Sequence, residues 1–495
     1  MAAVDPPIIP TAQELRRKVW EAANILRGSV DASDYKNYIF PLLFFRRISD
    51  IWSFEQRRDL AAFQVERPLH PRFDIPVGCH WEDLRKVFGH QGETLQRMLG
   101  QIERANPNTL GGIFGSARWD DPDHLPEINL RKLLDLFSGI NLDPELVPND
   151  VMGNVYEYLL MQFAENSGQH AEAFFTPRGV TRLLMRLMEP QEGESIYDPT
   201  CGSGGMLIEA VEEIREAGGK SDSLRVFGQE LNPTTAAIAR MNLYFHEFEE
   251  FDVRRGDTLR HPAFVDPMGG LRTFDVVVAN PPYSVKNWGE EGWATDHYGR
   301  AIGGVPPNNS ADLAWVQHMV KSMKPGRGRA AVVMPHGPLF RGNREGKIRQ
   351  WLIESGYLDA VLDIPRELFY RTTIPNSVWV LRADKRRDGK VLIIQAKDQC
   401  HPNPDKKPRN IVTVEDVETI VTAYRTAQDN DKTRVVEVSL EELERNGWDL
   451  NIGRYIRAEG EEVPDVATCE ADLRDALGRF DAARTALFEQ LERAV

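Results

Sequence analysis

Apolar residues recur along this chain with two different periods. Up to about residue 148 the period is helical. Thr11-Ala12-Gln13-Glu14 has the capping-box pattern, and Leu15, Val19, Ala22 and Leu26 follow at helical spacing until Gly28 ends the run. A second helix is predicted from near Asp34, carrying Tyr38, Leu42, Phe45 and Ile48, with further amphipathic stretches over Leu84–Leu99 and Leu130–Phe137. This part, residues 1–148, holds no catalytic constellation and reads as a helical accessory domain.

From residue 149 to 455 helical patterns alternate with short apolar runs. Strands are predicted at Ser195–Tyr197, Arg225–Gly228, Phe274–Ala279, Ala330–Met334, Leu358–Leu362 and Ser377–Leu381, with helices such as Met206–Glu216 and Asn232–Phe245 among them. Such alternation predicts an α/β domain with a largely parallel, Rossmann-like sheet, whose ligands bind beyond the carboxyl ends of the strands. The last part, residues 456–495, begins with a Gly/Glu/Pro/Asp-rich linker and becomes a helix. Leu473, Leu477, Phe480, Leu487 and Leu491 recur at 4-3 spacing, with Arg484 interrupting one seam position. That stripe either packs on its own domain or docks a partner.

Composition narrows the class. At 495 residues the chain is expected to form about two to four domains. With 41% hydrophobic and 27% charged residues it reads as globular rather than disordered. The start Met1-Ala2-Ala3-Val4-Asp5-Pro6-Pro7 has neither a basic segment nor an apolar run, so no secretory leader and no membrane span are expected. Cys79, Cys201, Cys400 and Cys469 form no CxxC pair, which points to a reducing cytoplasm. Cys79-His80 and Cys400-His401 lack a second pair at ligand spacing, and no metal is expected. The net charge of −15 argues against a self-sufficient binder of DNA, whose affinity comes largely from Lys and Arg on phosphates.

Three segments carry the candidate chemistry. Asp198-Pro199-Thr200-Cys201-Gly202-Ser203-Gly204-Gly205 lies between a strand and a helix, where glycines let the backbone approach a ligand and the helix start offers free N–H groups. Glu230 ends the next strand, either as an acceptor for a ribose diol or as a solvated surface residue; its register with the glycine loop favours the first. The third is Phe274-Asp275-Val276-Val277-Val278-Ala279-Asn280-Pro281-Pro282-Tyr283, an apolar strand running into Asn-Pro-Pro-Tyr. The prolines impose a rigid turn that presents the Asn280 side-chain oxygen and the Pro281 carbonyl as two fixed acceptors. An exocyclic amino group is a poor nucleophile because its lone pair is delocalised. Two acceptors gripping its hydrogens favour a pyramidal nitrogen able to attack the methyl of a sulfonium donor. Tyr283 offers an aromatic face to a base drawn out of its stack.

Together these segments resemble S-adenosylmethionine-dependent methyltransferases that act on exocyclic amino groups in DNA. Asp198–Gly205 is similar to motif I, which implies that Asp198, Thr200, Gly202, Ser203, Gly204 and Gly205, with Glu230, hold the methyl donor S-adenosylmethionine. Asn280, Pro281, Pro282 and Tyr283 match motif IV, the catalytic loop. Ala173-Phe174-Phe175-Thr176-Pro177-Arg178 looks like motif X, which closes over the methionine end of the donor. Gly256-Asp257-Thr258-Leu259 falls where motif III is expected, putting Asp257 near the donor's adenine. This motif order is the γ arrangement of N6-adenine methyltransferases. The Leu42-Leu43-Phe44-Phe45-Arg46-Arg47-Ile48 core is similar to the N-terminal domain of Type I restriction–modification methyltransferase subunits. The resemblance implies DNA as substrate and a separate specificity subunit, with two copies of this chain to each. It also implies a restriction subunit in the full complex.

Secondary positions follow. Asp312 is expected on a helix lining the donor and base pockets, and His336 on the same rim in a structural role. Lys324, Arg327, Arg329, Arg341, Arg344, Lys347 and Arg349 form a basic cluster expected to meet phosphates beside the base pocket. Ala217-Gly218-Gly219-Lys220-Ser221 has only the ending of a P-loop, with Ile214 in place of its first glycine. Three other readings are open: a self-contained DNA adenine methyltransferase, a protein glutamine methyltransferase, and a donor-binding scaffold without catalysis.

Overall fold

Thr11 and Glu14 cap the first helix reciprocally. Glu14 N–H donates to the Thr11 hydroxyl at 3.2 Å, and Thr11 N–H donates to the Glu14 carboxylate at 2.9 Å. The computed structural model describes residues 11–166, 175–248, 250–369, 374–387, 389–405, 408–456 and 466–494. Helices α1 (Ala12–Leu26) and α2 (Tyr35–Phe63) bury the predicted apolar positions, including Leu15, Val19, Leu26, Tyr38, Leu42, Phe45 and Ile48. The stretch expected over Leu84–Leu99 is two helices, α3 (Trp81–Arg85) and α4 (Gln91–Ala105). Left-handed backbone at Gly89 (φ 74°) and His90 (φ 49°) separates them, since an α-helix cannot continue through that conformation. Helix α5 (Glu127–Ser138) contains the predicted Leu130–Phe137. Buried Arg47 on α2 donates to the carbonyls of Leu142 and Val147 and to Asn149 Oδ1, tying α2 to the entry of α6 (Asn149–Asn166).

The α/β part opens with α7 (Arg178–Met188) and β1 (Ser195–Asp198), followed by α8 (Gly205–Glu216), β2 (Arg225–Glu230), α9 (Pro233–Phe245) and β3 (Phe251–Arg255). Then come β4 (Val276–Ala279), α10 (Glu290–Trp293), α11 (Asp312–Ser322), β5 (Arg329–Pro335), α12 (Gly337–Phe340), α13 (Asn343–Glu354), β6 (Leu358–Asp363), β7 (Asn376–Arg382) and β8 (Lys390–Gln395). A two-residue ladder, β9 (His401–Pro402) with β10 (Asn410–Ile411), precedes α14 (Val414–Thr426) and β11 (Arg434–Ser439).

Among the described residues the main sheet has nine strands in the order β11-β8-β6-β7-β5-β4-β1-β2-β3. Only β7 and β11 run against the others, so the sheet is largely parallel as predicted. All six predicted strands are present, whereas β3, β8 and β11 were not foreseen. β3 and β11 are edge strands with few buried positions, and they lack the continuous apolar run that marks a strand covered on both faces.

Chain segments from Met1 to Ile452 form one compact unit and Gly453–Val495 a second. The sequence division near residue 148 lies inside the first unit, because one apolar core runs from α1 and α2 to Ile238, Met241, Tyr244 and Phe245 on α9. Phe44 meets the rings of Tyr244 and Phe245 at 6.0 and 5.7 Å, and Tyr156 OH donates to the Ile238 carbonyl at 3.0 Å. A second core fills the space between the sheet and α7, α8 and α14. In the second unit a helix spans Val466–Ala494, and residues 470–485 are all exposed, Leu473, Leu477 and Phe480 among them. The predicted linker at 457–465 and the side chains of Leu487 and Leu491 lie outside the described residues. Among the described residues no helix is long and apolar enough to cross a membrane.

Candidate active site

β1 delivers Asp198 to the carboxyl end of the sheet, fully buried. Its Oδ1 accepts from Thr200 N–H at 2.9 Å, while buried Oδ2 has no protein partner. Burial, reinforced by the charge of Glu230, raises its pKa to about 8. The loop then turns through Gly202 (φ 53°) and Gly204 (φ 82°), conformations that side chains other than glycine rarely adopt. Gly204 starts α8 with no side-chain cap, and a Cβ on Gly205 would meet nothing within 4 Å. The helix start therefore faces open space with free N–H groups. Behind the loop, Ser203 O accepts from Asn242 Nδ2 at 2.9 Å, and a Cβ on Gly228 would stand 3.0 Å from Cys201 Sγ.

Glu230, at the end of β2, turns back over this loop. It accepts from Gly202 N–H at 3.1 Å and Asn232 N–H at 2.8 Å, and burial raises its pKa. Asp257 Oδ1 accepts from the N–H groups of Leu259 and Arg260 at 3.0 and 3.1 Å. Thr258 Oγ1 donates to Pro199 O at 2.7 Å, so the Asp257 segment is fastened to the glycine loop. The uncapped helix start and the Glu230 carboxylate thus meet at the carboxyl ends of β1 and β2, with the unpaired Asp198 oxygen buried close by, and the open space at Gly205 makes this the candidate cleft. This donor set suits a ligand with a cationic group, a carboxylate and a ribose.

β4 is fully buried and leads into Asn280, beside that cleft because β1 and β4 are parallel neighbours. Asn280 Nδ2 donates to Thr176 Oγ1 at 3.1 Å, and its Oδ1 accepts from Tyr283 OH at 3.1 Å. Ser284 N–H donates to the buried carboxylate of Asp312 at 2.7 Å, fixing the loop exit on the first residue of α11. The structure thus brings the Phe-Thr-Pro segment and the Asn-Pro-Pro-Tyr loop into direct contact. Phe175 packs against the helical core, Pro177 precedes α7, and Arg178 faces Glu209 at 3.6 Å and Glu157 at 4.0 Å. Ala173 and Phe174 lie outside the described residues.

Sequence reading missed the segment between Tyr283 and α11. Arg300, 2% exposed, pairs with Asp296 at 2.7 Å and donates to the carbonyls of Thr258 and Leu259 at 3.1 and 2.8 Å. Its guanidinium lies 4.8 Å from the Trp293 ring, and Trp293, Trp288, Trp315 and Leu259 form a small apolar cluster. Arg260 Nη2 reaches Asn287 O at 2.7 Å. These bonds staple the segment after the Asn-Pro-Pro-Tyr loop onto the Asp257 loop. Beyond an Arg among tryptophans, the sequence carried no signal for this.

The basic cluster divides. Lys324 and Arg327 pair with Asp275, and Arg329 pairs with Glu194. All three stand at the amino end of β4 and β5, opposite the cleft, which corrects their expected place beside the base pocket. Arg349 is buried and donates to the carbonyls of Trp448, Pro338 and Arg341. Only Arg341, Arg344 and Lys347 are exposed on the cleft side. His336 Nε2 donates to Asp363 Oδ1 at 3.1 Å and Asn376 O at 3.3 Å, a structural role at the strand ends.

Residues 147–463 match the N-6 DNA Methylase family, and residues 15–137 match the HsdM N-terminal domain. The chain belongs to the N-6 DNA methylase family, among the methylase subunits of Type I restriction enzymes. It is 34% identical over 465 residues to the Type I restriction enzyme MjaVIII methylase subunit of Methanocaldococcus jannaschii, covering 88% of this chain and 76% of that one. To the HindI methylase subunit of Haemophilus influenzae it is 32% identical over 428 residues, covering 80% and 93%. The crystal structure of a Type I restriction–modification methyltransferase subunit from Streptococcus thermophilus superposes with a TM-score of 0.78 at 29% identity, covering 90% of this chain and all of that one. As a Type I methylase subunit the chain is an adenine-specific DNA methyltransferase, and this family assignment favours DNA over a protein glutamine substrate.

Proposed function

We propose that this N-6 methylase uses S-adenosylmethionine as donor and that the cleft described above is where it does so. The observation that carries this reading is the clamping of Asn280 between Thr176 and Tyr283 beside the uncapped start of α8. S-adenosylmethionine, when bound, supplies an electrophilic methyl on a sulfonium. Gly202, Ser203, Gly204 and Gly205 would bring the backbone close to its methionine end, where the uncapped start of α8 offers N–H groups. Asp198 and Thr200 would meet the cationic end, and Glu230 the ribose diol. Asp257 would stand at the adenine side, with Ala173, Phe174, Phe175, Thr176, Pro177 and Arg178 closing over the methionine.

At the catalytic loop, Asn280 Oδ1 and the Pro281 carbonyl accept the two hydrogens of the adenine N6 amino group. That grip draws the lone pair out of the ring and points it at the methyl. Tyr283 stacks on the extruded base, and Pro282 keeps the turn rigid. The methylated nitrogen is a strong acid, so water can take its proton and no dedicated base is required.

In this reading the chain works in the cytoplasm with a separate specificity subunit, two copies of it to each, and with a restriction subunit in the full complex. Division into a helical domain (1–148), a methyltransferase domain (149–455) and a docking tail (456–495) fits that use. The net charge of −15 supports a shared burden of DNA binding. The test supplies radiolabelled S-adenosylmethionine and adenine-unmethylated genomic DNA to the chain with and without the neighbouring specificity subunit, beside Asn280→Ala. Label in N6-methyladenine only with the partner, and none with Asn280→Ala, is expected. Label without the partner would point to a self-contained enzyme.

A further inference from the structure

Around the cleft one patch is left without a role by the mechanism: the lip formed by α12 and the exposed face of α13. Both follow the carboxyl end of β5, which runs parallel beside β4, the strand that carries Asn280. At this lip Phe340 is 51% exposed, although its neighbours Pro338 and Leu339 are buried. An isolated exposed aromatic would need no explanation. This one adjoins exposed Arg341, Arg344 and Lys347, the last two on one face of α13 a single turn apart.

The lip is also physically joined to the catalytic loop. Arg341 reaches Asp312 and Glu345, each at 3.5 Å, and Asp312 holds the N–H of Ser284, which follows Tyr283. Arg344 pairs with Glu290 on α10, in the segment that leaves the same loop. Arg341 is seated by Gly337, where a Cβ would come 2.5 Å from the guanidinium carbon. Phe340 is therefore one residue from a side chain that shares a carboxylate with the catalytic loop.

We propose that this lip grips the DNA strand carrying the target adenine: Phe340 enters the base stack where the extruded adenine leaves a gap, and Arg341, Arg344 and Lys347 hold the flanking phosphates. The inference rests on the adenine-methylating reading of the cleft. Extruding a base costs stacking and pairing, and an apolar side chain filling the gap offsets part of that cost. On a chain of net charge −15, exposed Lys347 adds positive charge to this lip, and Arg341 and Arg344 would exchange their pairing with Glu345 and Glu290 for phosphates.

The experiment uses the complex that methylates duplex DNA, with the modified site first mapped on genomic DNA. Phe340→Ala is expected to slow methylation of that duplex on the order of tenfold. Phe340→Leu should restore most of the rate, and so should placing the target adenine opposite an abasic site, where no pair has to be broken. Arg344→Gln and Lys347→Gln should each lower the slope of log K against log salt by about one. Unchanged duplex rates in Phe340→Ala, equal slowing on both substrates, or unchanged salt slopes would overturn the proposal. If the wild-type complex transfers no label to adenine in any DNA, the fault lies with the parent reading instead.

Discussion

The side-chain amide of Asn280 donates to Thr176 Oγ1 at 3.1 Å, across 104 residues of sequence. That bond fixes which way the amide points, and the proposed reaction needs its oxygen as the acceptor. Thr176 sits just before α7, so the segment expected to cover the donor also sets the orientation of the Asn280 amide. Thr176→Val should therefore lower kcat about tenfold while leaving the Kd for DNA unchanged, as expected when an interaction that positions a reacting group is lost. Steady-state kinetics with a filter-binding control checks this. A change in DNA affinity alone would contradict it.

Asp198 supplies a pH test. Its folded pKa of about 8 lies above the unfolded value of about 4, so the native state holds a proton that the unfolded chain has lost across that range. The stability linked to this group is present below about pH 4 and is lost as pH rises through about 8. Urea denaturation at pH 6 and pH 8.5 should show a loss in the wild type that is smaller in Asp198→Asn. A cationic ligand would favour the ionised carboxylate, so donor binding near pH 7 should release a proton in the wild type and not in Asp198→Asn. Calorimetry in buffers of different ionisation enthalpy measures that release.

Arg300 and Asp296 are both nearly inaccessible. Arg300→Met strands a buried carboxylate and should destabilise the fold by roughly 3–5 kcal/mol. Adding Asp296→Leu should recover part of the loss, because the uncompensated charge goes with it. Chemical denaturation of the two variants decides the matter: a double variant no more stable than the single one would assign the effect to lost packing.

The tail gives a separable prediction. Ending the chain at Ile456 removes a helix whose residues 470–485 are all exposed, Leu473, Leu477 and Phe480 included. The truncated chain should keep its unfolding midpoint and bind donor, yet fail to assemble with the specificity subunit. Size-exclusion chromatography of the co-expressed pair reads this directly, and an intact complex would remove the docking role from the tail.

Much of the fold could be read along the chain because its signals are local. The Thr11–Glu14 cap, the buried strand Val276–Ala279 and the glycine turn before α8 each depend on residues within one short window. Backbone conformation and burial act there through near neighbours, so pattern suffices. Edge strands β3 and β11 escaped because partial exposure removes the apolar run, and the break at Gly89-His90 escaped because amphipathic spacing continues across it.

By itself the sequence determined the chemistry on offer: Asn-Pro-Pro-Tyr after a buried strand, a glycine loop, an acidic strand end and their order along the chain. Tertiary structure decided which of these meet. It put Thr176 on Asn280, left one oxygen of Asp198 buried without a protein partner, and fastened the segment around Arg300 to the Asp257 loop. It also divided one run of basic residues between opposite ends of the sheet, leaving only Arg341, Arg344 and Lys347 exposed beside the cleft. The physical reason is that hydrogen-bond partners and burial are set by distance in space. Residues close in sequence but on either side of a strand of seven residues, as Arg329 and Arg341 are about β5, end at opposite ends of the sheet.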